Sequence, residues 1–357
     1  MHIGFDAKRY FHNRTGLGNY SRDLINTLIN QHPDDRFFLY DKKPNIENLP
    51  RNVIAVPPLN GGGFLWKEWR IQAEIKRYQL DVFHGLSNEL PFGKWPERIK
   101  KIVSIHDVIF RHYPEQYALI DRNIYHFKTK HAIAIADVIV ATSYATAEDL
   151  QQFYKADASK IKVVYQTCGE QHRASYTDAE ISAFSTAYRL PEKFMVYVSS
   201  FQTRKNHLAL LKAFKECKGQ AGKLVLAGKP GNALSKVKDF IRENHLQDQV
   251  VVLTDVSRKE LPLLYRAASG FVYPSLIEGF GIPLIEAANA GLPMAVNDIA
   301  VFNELSPEGS IKFDSANVLE FSKALIELSK RQKSDYANFL QAFNPLVSAE
   351  SVYGLYL

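Results

Sequence analysis

Two glutamates stand in the stretch of the sequence that is richest in side chains able to bind a polar ligand. Glu278 and Glu286 lie between Tyr273 and Ala288, where an apolar run meets a turn and then an apolar helical pattern beginning near Pro283. A carboxylate inside such a helix is costly to bury unless it is hydrogen-bonded. Glu286 is therefore predicted to bind a polar group such as a ribose diol, and Glu278 to reach a second polar group.

Two adjacent cations, Arg204 and Lys205, follow the apolar run 194–198 and precede a helical pattern. A cation at a helix N-terminus is disfavoured by the helix dipole unless an anion lies between them. The pair is thus predicted to bind an anion, and a diphosphate meets this requirement. The alternative is an exposed Arg-Lys pair without a ligand.

Two further positions are typical of sites at the ends of strands. His106 and Asp107 follow the run Ile102–Ile105, where a histidine can donate a hydrogen bond or relay a proton near neutral pH. Local backbone contacts are the alternative for this histidine. Gly16 and Gly18 precede a helical pattern, and such glycines let backbone N–H groups approach an anion. A turn without a ligand explains these glycines equally well.

Short apolar runs alternate with amphipathic helical patterns along almost the whole chain, which is typical of a parallel sheet covered by helices. The first half predicts strands at Ile3–Phe5, Phe37–Tyr40, Val53–Val56, Val82–His84, Ile102–Ile105, Val138–Ala141 and Ile161–Val164. The second half predicts strands at Phe194–Val198, Leu224–Ala227, Val250–Leu253, Gly270–Tyr273, Pro293–Val296 and Ile311–Phe313.

A polar, weakly patterned stretch interrupts this series and predicts two doubly wound α/β domains in tandem. We expect an N-terminal domain over residues 1–170, a connection over 171–192 and a C-terminal domain over 193–340, with the tail 341–357 packing back on the first. Ligands of such folds bind beyond the carboxyl ends of the strands. A cleft between the two domains is the expected active site.

Composition excludes several classes of protein. The 357 residues are 46% hydrophobic and 23% charged, close to globular averages. Residues 1–175 carry 24 Lys+Arg and 19 Asp+Glu, of totals of 44 and 38. This excess is too diffuse for nucleic acid but suits an anionic substrate or membrane surface. Cys168 and Cys217 form no metal-binding pattern, and the absence of a signal peptide or long apolar run predicts a cytoplasmic protein.

These motifs resemble those of the retaining glycosyltransferases of family 4, whose GT-B fold pairs two Rossmann-like domains across a cleft. The Glu-x7-Glu spacing of Glu278 and Glu286 is the most specific match. The resemblance implies that Glu278 contacts the donor sugar and Glu286 the nucleotide ribose. It also implies that His106 and Asp107 lie near the reacting sugar.

The resemblance extends to the rest of the donor. It implies a diphosphate site formed by Gly16, Gly18, Arg204, Lys205, Phe280, Gly281 and Ile282. It implies a base site formed by Val256, Gly228 and Lys229. Two positions depart from the family's pattern: the segment 165–169 replaces its usual Pro-Asn-Gly, and Asp255 replaces a glycine.

The implied reaction is the transfer of a hexose from a UDP-, GDP- or ADP-sugar, with mannose slightly preferred. The acceptor would be a glycan or lipid-linked glycan in the synthesis of surface polysaccharide or lipopolysaccharide. The resemblance implies front-face attack with retention, and the cations replace a metal, so we expect neither metal nor cofactor. A sugar-nucleotide epimerase and a non-catalytic donor-binding subunit are the alternatives.

A helical pattern over Phe64 to Tyr78 suggests contact with a membrane. Trp66 and Trp69 fall in one arc, and Lys67, Arg70 and Arg77 fall in the adjoining one. Tryptophan beside cations is typical of helices that lie on anionic lipid. We therefore expect a peripheral protein on the inner face of the membrane, although two tryptophans on one helix more often pack into a core.

Overall fold

The computed structural model describes residues 1–13, 16–59 and 66–357, with the side chain of Arg70 excepted. Two compact units divide the chain. Unit 1 comprises Met1–Thr167 and Phe343–Leu357, and unit 2 comprises Cys168–Ala342. The sequence features at Arg14, Thr15 and residues 60–65 lie outside the described residues.

Unit 1 is built on a parallel sheet that has seven strands in the described part of the chain, in the order β3-β2-β1-β4-β5-β6-β7. Its strands are β1 (His2–Asp6), β2 (Arg36–Tyr40), β3 (Val53–Val56), β4 (Val82–Gly85), β5 (Lys100–Ile105), β6 (Val138–Ala141) and β7 (Ile161–Val163). Its helices are α1 (Lys8–His12), α2 (Gly16–Gln31), α3 (Gln72–Arg77), α4 (Ile109–His112), α5 (Leu119–Ile135) and α6 (Tyr144–Tyr154). Short 3-10 turns cover Pro114–Gln116 and Ala158–Lys160, and a π-helical turn covers Trp66–Arg70.

Unit 2 repeats the plan with six parallel strands in the order β10-β9-β8-β11-β12-β13. The strands are β8 (Phe194–Val198), β9 (Lys223–Ala227), β10 (Val250–Leu253), β11 (Gly270–Tyr273), β12 (Met294–Asn297) and β13 (Ile311–Phe313). The helices are α7 (Glu170–Arg173), α8 (Asp178–Ala187), α9 (His207–Glu216), α10 (Leu234–Glu243), α11 (Leu261–Ala267), α12 (Ile282–Asn289), α13 (Ala300–Leu305), α14 (Val318–Leu328) and α15 (Ala337–Leu340). A 3-10 turn covers Thr203–Lys205.

The prediction of parallel sheets covered by helices is confirmed. The strands lie where the apolar runs predict them, within one or two residues at each end. Helices cover both faces of the sheets, so the strands are buried on both sides and read as continuous apolar runs. The strand order reverses between β1 and β4 in unit 1, and between β8 and β11 in unit 2. In such sheets ligands bind beyond the carboxyl ends of the strands at this switch point.

The last residues of the chain complete unit 1. A 3-10 turn, Gln341–Phe343, leads into α16 (Pro345–Gly354), which packs on α2. Val352 is fully buried in the same apolar cluster as Ile3 and Phe5.

Residues 171–192 were expected to form a connection between the domains. In the structure they contain α8, which packs on α11 as part of unit 2. Phe184 is the one buried side chain of α8, which explains the weak apolar pattern of this stretch.

The segment expected to face lipid packs mainly into unit 1. Trp66 is 3% exposed, and its indole N–H donates to the carboxylate of Glu74 at 3.0 Å. Lys67 forms an ion pair with Asp6 at 2.5 Å and another with Glu89. The prediction that Trp66 and Lys67 face a membrane is therefore wrong, because buried carboxylates bind both side chains.

A chain of buried polar side chains links α2, β5, β4 and the C-terminal segment. The Tyr20 hydroxyl hydrogen-bonds the Ser104 hydroxyl at 2.7 Å, and His84 lies 2.9 Å from that hydroxyl through Nε2. The Nδ1 of His84 hydrogen-bonds the hydroxyl of Tyr356 at 2.8 Å. Burial, and then the nearby His106, lower the pKa of His84 to about 3. His84 is thus a neutral structural residue inside the unit.

We expect His84 to make unit 1 sensitive to acid. The unfolded chain binds a proton on this histidine near its ordinary pKa, whereas the folded chain resists protonation until about pH 3. Stability is therefore fully present above the ordinary value and is lost as the pH falls below it. Between about pH 7 and pH 5, the free energy of unfolding should fall by about 2 kcal/mol more in the wild type than in His84→Gln.

Denaturant titration at each pH measures this difference, and a tryptophan signal from Trp66 reports on unit 1. His245→Gln, which removes an exposed histidine of unit 2, is the matched control and should leave the pH dependence unchanged. If the free energy of unfolding falls equally with pH in wild type and His84→Gln, His84 is not a buried, neutral histidine.

Candidate functional site

The loops after β8 and β11 meet at the switch point of the sheet in unit 2. Leu276 donates its backbone N–H to the carbonyl of Arg204 at 3.0 Å. The Tyr197 hydroxyl donates to the carbonyl of Lys205 at 2.8 Å and lies 3.1 Å from the Ser275 hydroxyl. Because β8 and β11 are neighbours in the sheet, these contacts fix the two loops against each other.

Glu278 is the centre of this arrangement. Its Oε1 contacts the ammonium group of Lys205 and accepts from the hydroxyl of Tyr273 at 3.1 Å, while its Oε2 lies 3.5 Å from Nη1 of Arg204. The Glu278 side chain is 9% exposed and that of Lys205 is 10% exposed. Burial alone would raise the pKa of Glu278, but the charges of Lys205 and then Arg204 outweigh it, so this pKa is lowered. Glu278 is an ionised carboxylate in a cationic setting.

Helix α12 begins beside this carboxylate with a glycine in a special conformation. Gly281 has φ +103°, where side chains are strained, and an added Cβ would lie 3.2 Å from the Phe302 ring. Phe280, on its other side, is buried, and Ile282 is the first residue of the helix. The backbone at Gly281 therefore turns sharply into the helix, which directs the first N–H groups of α12 toward the carboxyl edge of the sheet.

Glu286, one turn further along α12, has its own partners. Its Oε2 accepts from the hydroxyl of Tyr265 at 2.8 Å, and its Oε1 lies 3.3 Å from Nε2 of His172. His172 is buried, and burial lowers its pKa although Glu286 opposes this. The sequence did not single out His172. Its only signal was its place just after the segment 165–169, which departs from the family's pattern.

The residues predicted to contact the base follow the two strands on the other side of β8. Gly228 and Lys229 come directly after β9, and Val256 comes after β10. A Cβ at Gly228 would lie 1.8 Å from the carbonyl oxygen of Ser199, so only glycine lets the loops after β8 and β9 approach this closely. Lys229 is exposed and Val256 is half-buried.

In unit 1, His106 lies at the carboxyl end of β5 with both ring nitrogens engaged. Nε2 donates to the carbonyl of Leu86 at 2.9 Å, because a carbonyl can only accept. Nδ1 therefore accepts from the side-chain amide of Gln166, also at 2.9 Å. The ring of Tyr20 meets the imidazole edge-on at 4.7 Å. Burial lowers the pKa of His106, so the imidazole is neutral and held in one tautomer.

Asp107 and Gly18 have local structural roles. Asp107 Oδ1 accepts at 3.1 Å from the backbone N–H of Ile109, the first residue of α4. Gly18 lies in the first turn of α2, where an added Cβ would come 1.9 Å from the carbonyl oxygen of Asn13. Close packing therefore requires glycine at this position with or without a ligand. An added Cβ at Gly16 would meet no atom of the described residues within 4 Å.

The structure brings Arg204, Lys205 and Glu278 into direct contact. The remaining predicted residues of unit 2 are distributed along the carboxyl edge of its sheet, and His106, Asp107 and the two glycines belong to unit 1. Gln166 was missed because its partner is sixty positions away in the sequence, at His106. Among the residues described, no group of three or more acidic, histidine or cysteine side chains could hold a metal ion.

Comparison with known proteins agrees with the fold of both units. Residues 15–167 match the family model described as Glycosyltransferase Family 4, and residues 178–341 match the one described as Glycosyl transferases group 1. The chain resembles the crystal structure of Anabaena Alr3699/HepE in complex with UDP and glucose, with a TM-score of 0.72 and 16% identity over 99% of both chains. Fold and site together define a GT-B glycosyltransferase.

Two curated relatives agree at the level of sequence. The O-antigen chain mannosyltransferase B of Escherichia coli is 24% identical over 92% of this chain and 90% of its own length. The O-antigen chain mannosyltransferase RfbU of Salmonella typhimurium is 27% identical over 58% of this chain, and the match spans 55% of that relative. The chain belongs to glycosyltransferase family 4.

The ion pair of Lys205 and Glu278 yields a first prediction. Lys205→Met leaves a buried carboxylate without its main partner and should lower the free energy of unfolding by about 3 kcal/mol. The double variant Lys205→Met/Glu278→Gln should recover most of this loss, because neither charge is then left alone. Urea denaturation of the single and double variants measures the coupling.

A matched control is the exposed pair Arg242–Asp239, whose side chains are 67% and 48% exposed. Arg242→Met should cost less than about 1 kcal/mol. If the double variant loses as much free energy of unfolding as Lys205→Met and Glu278→Gln lose together, the two charges do not stabilise each other.

Gln166 yields a second prediction. Gln166→Glu places a carboxylate beside Nδ1 of His106, which favours the doubly protonated ring and should raise the pKa of His106 above that of the wild type. The pH dependence of the His106 ring signals in NMR measures this shift. Gln151→Glu, an exposed change on α6 of the same unit, should leave those signals as they are. If the pKa of His106 is the same in Gln166→Glu as in wild type, the contact between residue 166 and His106 is refuted.

Proposed function

We propose that the protein transfers a hexose, with retention of configuration, from a nucleoside diphosphate sugar to a glycan acceptor. The observation that carries this proposal is the Lys205–Glu278 pair with Arg204 at the switch point of the sheet in unit 2. It sets two cations and one carboxylate side by side. The cations match a diphosphate, and the carboxylate matches the hydroxyl groups of a sugar.

The strand order of unit 2 supports the same assignment. Along the carboxyl edge, the strands follow one another as β10, β9, β8 and β11. The proposed contacts of the base follow β10 and β9, the cations Arg204 and Lys205 follow β8, and Glu278 follows β11. The other proposed donor contacts of unit 2, Phe280–Ile282 and Glu286, also follow β11, so all of them lie around the switch point of this sheet. Glu286 is proposed to bind the ribose, with Tyr265 and His172 orienting its carboxylate.

The proposed chemistry uses these charges to stabilise the leaving group. Arg204 and Lys205, with the backbone N–H groups around Gly281, would take up the negative charge that grows on the diphosphate as the sugar bond breaks. Glu278 would orient the sugar rather than attack it. The departing phosphate oxygen would accept the proton of the acceptor hydroxyl, with His106 and Asp107 on the acceptor side. No cofactor is proposed.

The particular sugar and acceptor are further parts of the proposal. Both curated relatives described above are named as O-antigen chain mannosyltransferases. This supports mannose as the sugar and a surface polysaccharide or lipopolysaccharide as the product, with a glycan or lipid-linked glycan as acceptor. Action at the inner face of the membrane, in the cytoplasm, is proposed with it. Among the described residues no helix is both long and apolar enough to cross a bilayer.

A panel of UDP-, GDP- and ADP-sugars tests the donor. The correct donor should raise the melting temperature, because bound ligand stabilises the folded state, and Glu286→Ala should lose most of that rise. Removing one charged hydrogen bond should weaken binding by about 1.5 to 3 kcal/mol. Release of the nucleoside diphosphate should then require a glycan acceptor. Conversion of the donor sugar without acceptor would identify an epimerase, and no turnover with any acceptor would favour a binding subunit.

The metal-independent part of the proposal has a separate test. If Arg204 and Lys205 neutralise the leaving diphosphate, EDTA should leave the transfer rate largely intact, within about twofold. Loss of transfer in EDTA that manganese restores would contradict this assignment. The melting temperature measured in EDTA is the control for unfolding.

A further inference from the structure

Arg9, on helix α1 of unit 1, is a half-buried cation without an anionic partner. Its Nε atom is buried and has no hydrogen-bond partner among the described residues. In the same part of the chain, the ion pairs and cation–π contacts belong to other side chains. A guanidinium keeps its charge at any pH at which a protein is folded, so this arginine cannot avoid the cost of burial by losing a proton.

The acidic side chains near the carboxyl ends of β1, β2 and β4 are engaged by other cations. Asp6, the last residue of β1, and Glu89, which follows β4, both pair with Lys67. Asp41, directly after β2, lies 2.6 Å from the imidazole Nε2 of His12. The folding of unit 1 therefore provides no counterion for the guanidinium on α1.

Arg22, on the adjacent helix α2, shows how an arginine with a structural role is bound in this segment. Its Nη1 donates to the carbonyls of Tyr10 and Asn13 at 2.9 and 2.8 Å, and its Nη2 donates to the side chain of Asn19 at 2.8 Å. These bonds fasten α1 to α2. Holding α1 in place therefore does not require the side chain of Arg9.

Arg9 lies beside the glycine turn of unit 1 and close to His106. An added Cβ at Gly18 would come 3.0 Å from the carbonyl oxygen of Arg9. Tyr20, two residues further along α2, meets the ring of His106 edge-on. Burial is the main reason that the pKa of His106 is lowered, and the charge of Arg9 lowers this pKa further although Asp107 opposes it. The unpaired cation thus acts on the histidine that we place on the acceptor side.

We propose that Arg9 binds a phosphate group that is carried by the acceptor. The N–H fork of a guanidinium matches two oxygens of a phosphate, and a phosphate here would supply the missing counterion. The diphosphate of the donor already has two proposed cations in unit 2, Arg204 and Lys205. A sugar phosphate or a lipid diphosphate has the required chemistry, whereas a neutral glycan does not. The assignment rests on the proposed function, because that function supplies the acceptor.

Removing this cation should weaken the binding of phosphate without weakening the fold. Arg9→Met deletes an unpaired charge, so its melting temperature should equal or exceed that of the wild type. Its affinity for inorganic pyrophosphate, measured by calorimetry, should fall by about tenfold or more. Arg9→Lys keeps the charge but loses the fork, and should lose less affinity. Lys8→Met removes an exposed cation from the same helix and is the matched control, which should bind pyrophosphate within about twofold of the wild type.

The ring signals of His106 in NMR locate the binding. A phosphate paired with Arg9 offsets the charge that lowers the pKa of His106, so saturating pyrophosphate should raise this pKa in wild type and leave it unchanged in Arg9→Met. The effect should persist when UDP, GDP and ADP are added in turn at saturation, because the nucleotide is proposed to bind unit 2.

Matched pairs of probes show which acceptor carries the phosphate. Mannose 1-phosphate is compared with methyl mannoside, and geranyl diphosphate with geraniol. In each pair only the compound with phosphate should change the His106 signals. The tighter of the two phosphate compounds identifies a sugar phosphate or a lipid diphosphate as the source.

Three outcomes would overturn the proposal. The first is pyrophosphate affinity and His106 signals that are the same in wild type and Arg9→Met. The second is a lower melting temperature of Arg9→Met with unchanged affinity, which would assign the arginine a structural role. The third is loss of the pyrophosphate effect when a nucleoside diphosphate is added, together with weaker binding of that nucleotide to Arg9→Met, which would assign the arginine to the donor. None of these measurements requires turnover, so a failed glycosyltransfer assay would refute the proposed function and leave the phosphate site standing.

Discussion

The ion pair between Lys205 and Glu278 constrains the rest of the donor site. Each side chain is about nine-tenths buried, and a buried charge without its partner is strongly unfavourable. The loops after β8 and β11 must therefore stay in register with each other. Tyr197 and the backbone contact of Leu276 with Arg204 provide that register. The positive φ of Gly281 then starts α12 at the same edge. A single electrostatic requirement thus accounts for the tyrosines, the turn and the glycine around it.

In unit 1, the buried side chains of His84 and His106 also need partners, and these partners are neutral groups. His106 and His84 are both buried, and burial lowers the pKa of each, so neither ring needs a charged partner. Carbonyl, amide and hydroxyl groups satisfy their nitrogens instead. The buried groups around His106 are therefore neutral and suited to a hydroxyl acceptor, whereas the groups around Glu278 are charged and suited to an anionic donor; Lys67 forms its ion pairs elsewhere in unit 1. This contrast underlies the division of roles that we propose.

Much of this arrangement is readable from the sequence, for identifiable reasons. Buried parallel strands are continuous apolar runs, so the strands of both sheets were predictable, and charges directly after strands revealed Arg204, Lys205 and Glu278. His172 and Gln166 were missed because their partners, Glu286 and His106, are distant in the sequence. The helical pattern at Trp66 misled because periodicity cannot show that Glu74 and Asp6 bury the tryptophan and the neighbouring lysine.

Calorimetric titration of the nucleoside diphosphate and of its sugar derivative tests the central claim most directly. The claim is that Glu278 holds Lys205 in place and contacts the sugar, while Lys205 contacts the diphosphate. In Glu278→Gln, the freed Lys205 should bind the diphosphate as tightly as in wild type or more tightly, and the extra affinity due to the sugar should fall by about tenfold or more. Weaker diphosphate binding with an unchanged contribution from the sugar would contradict the account.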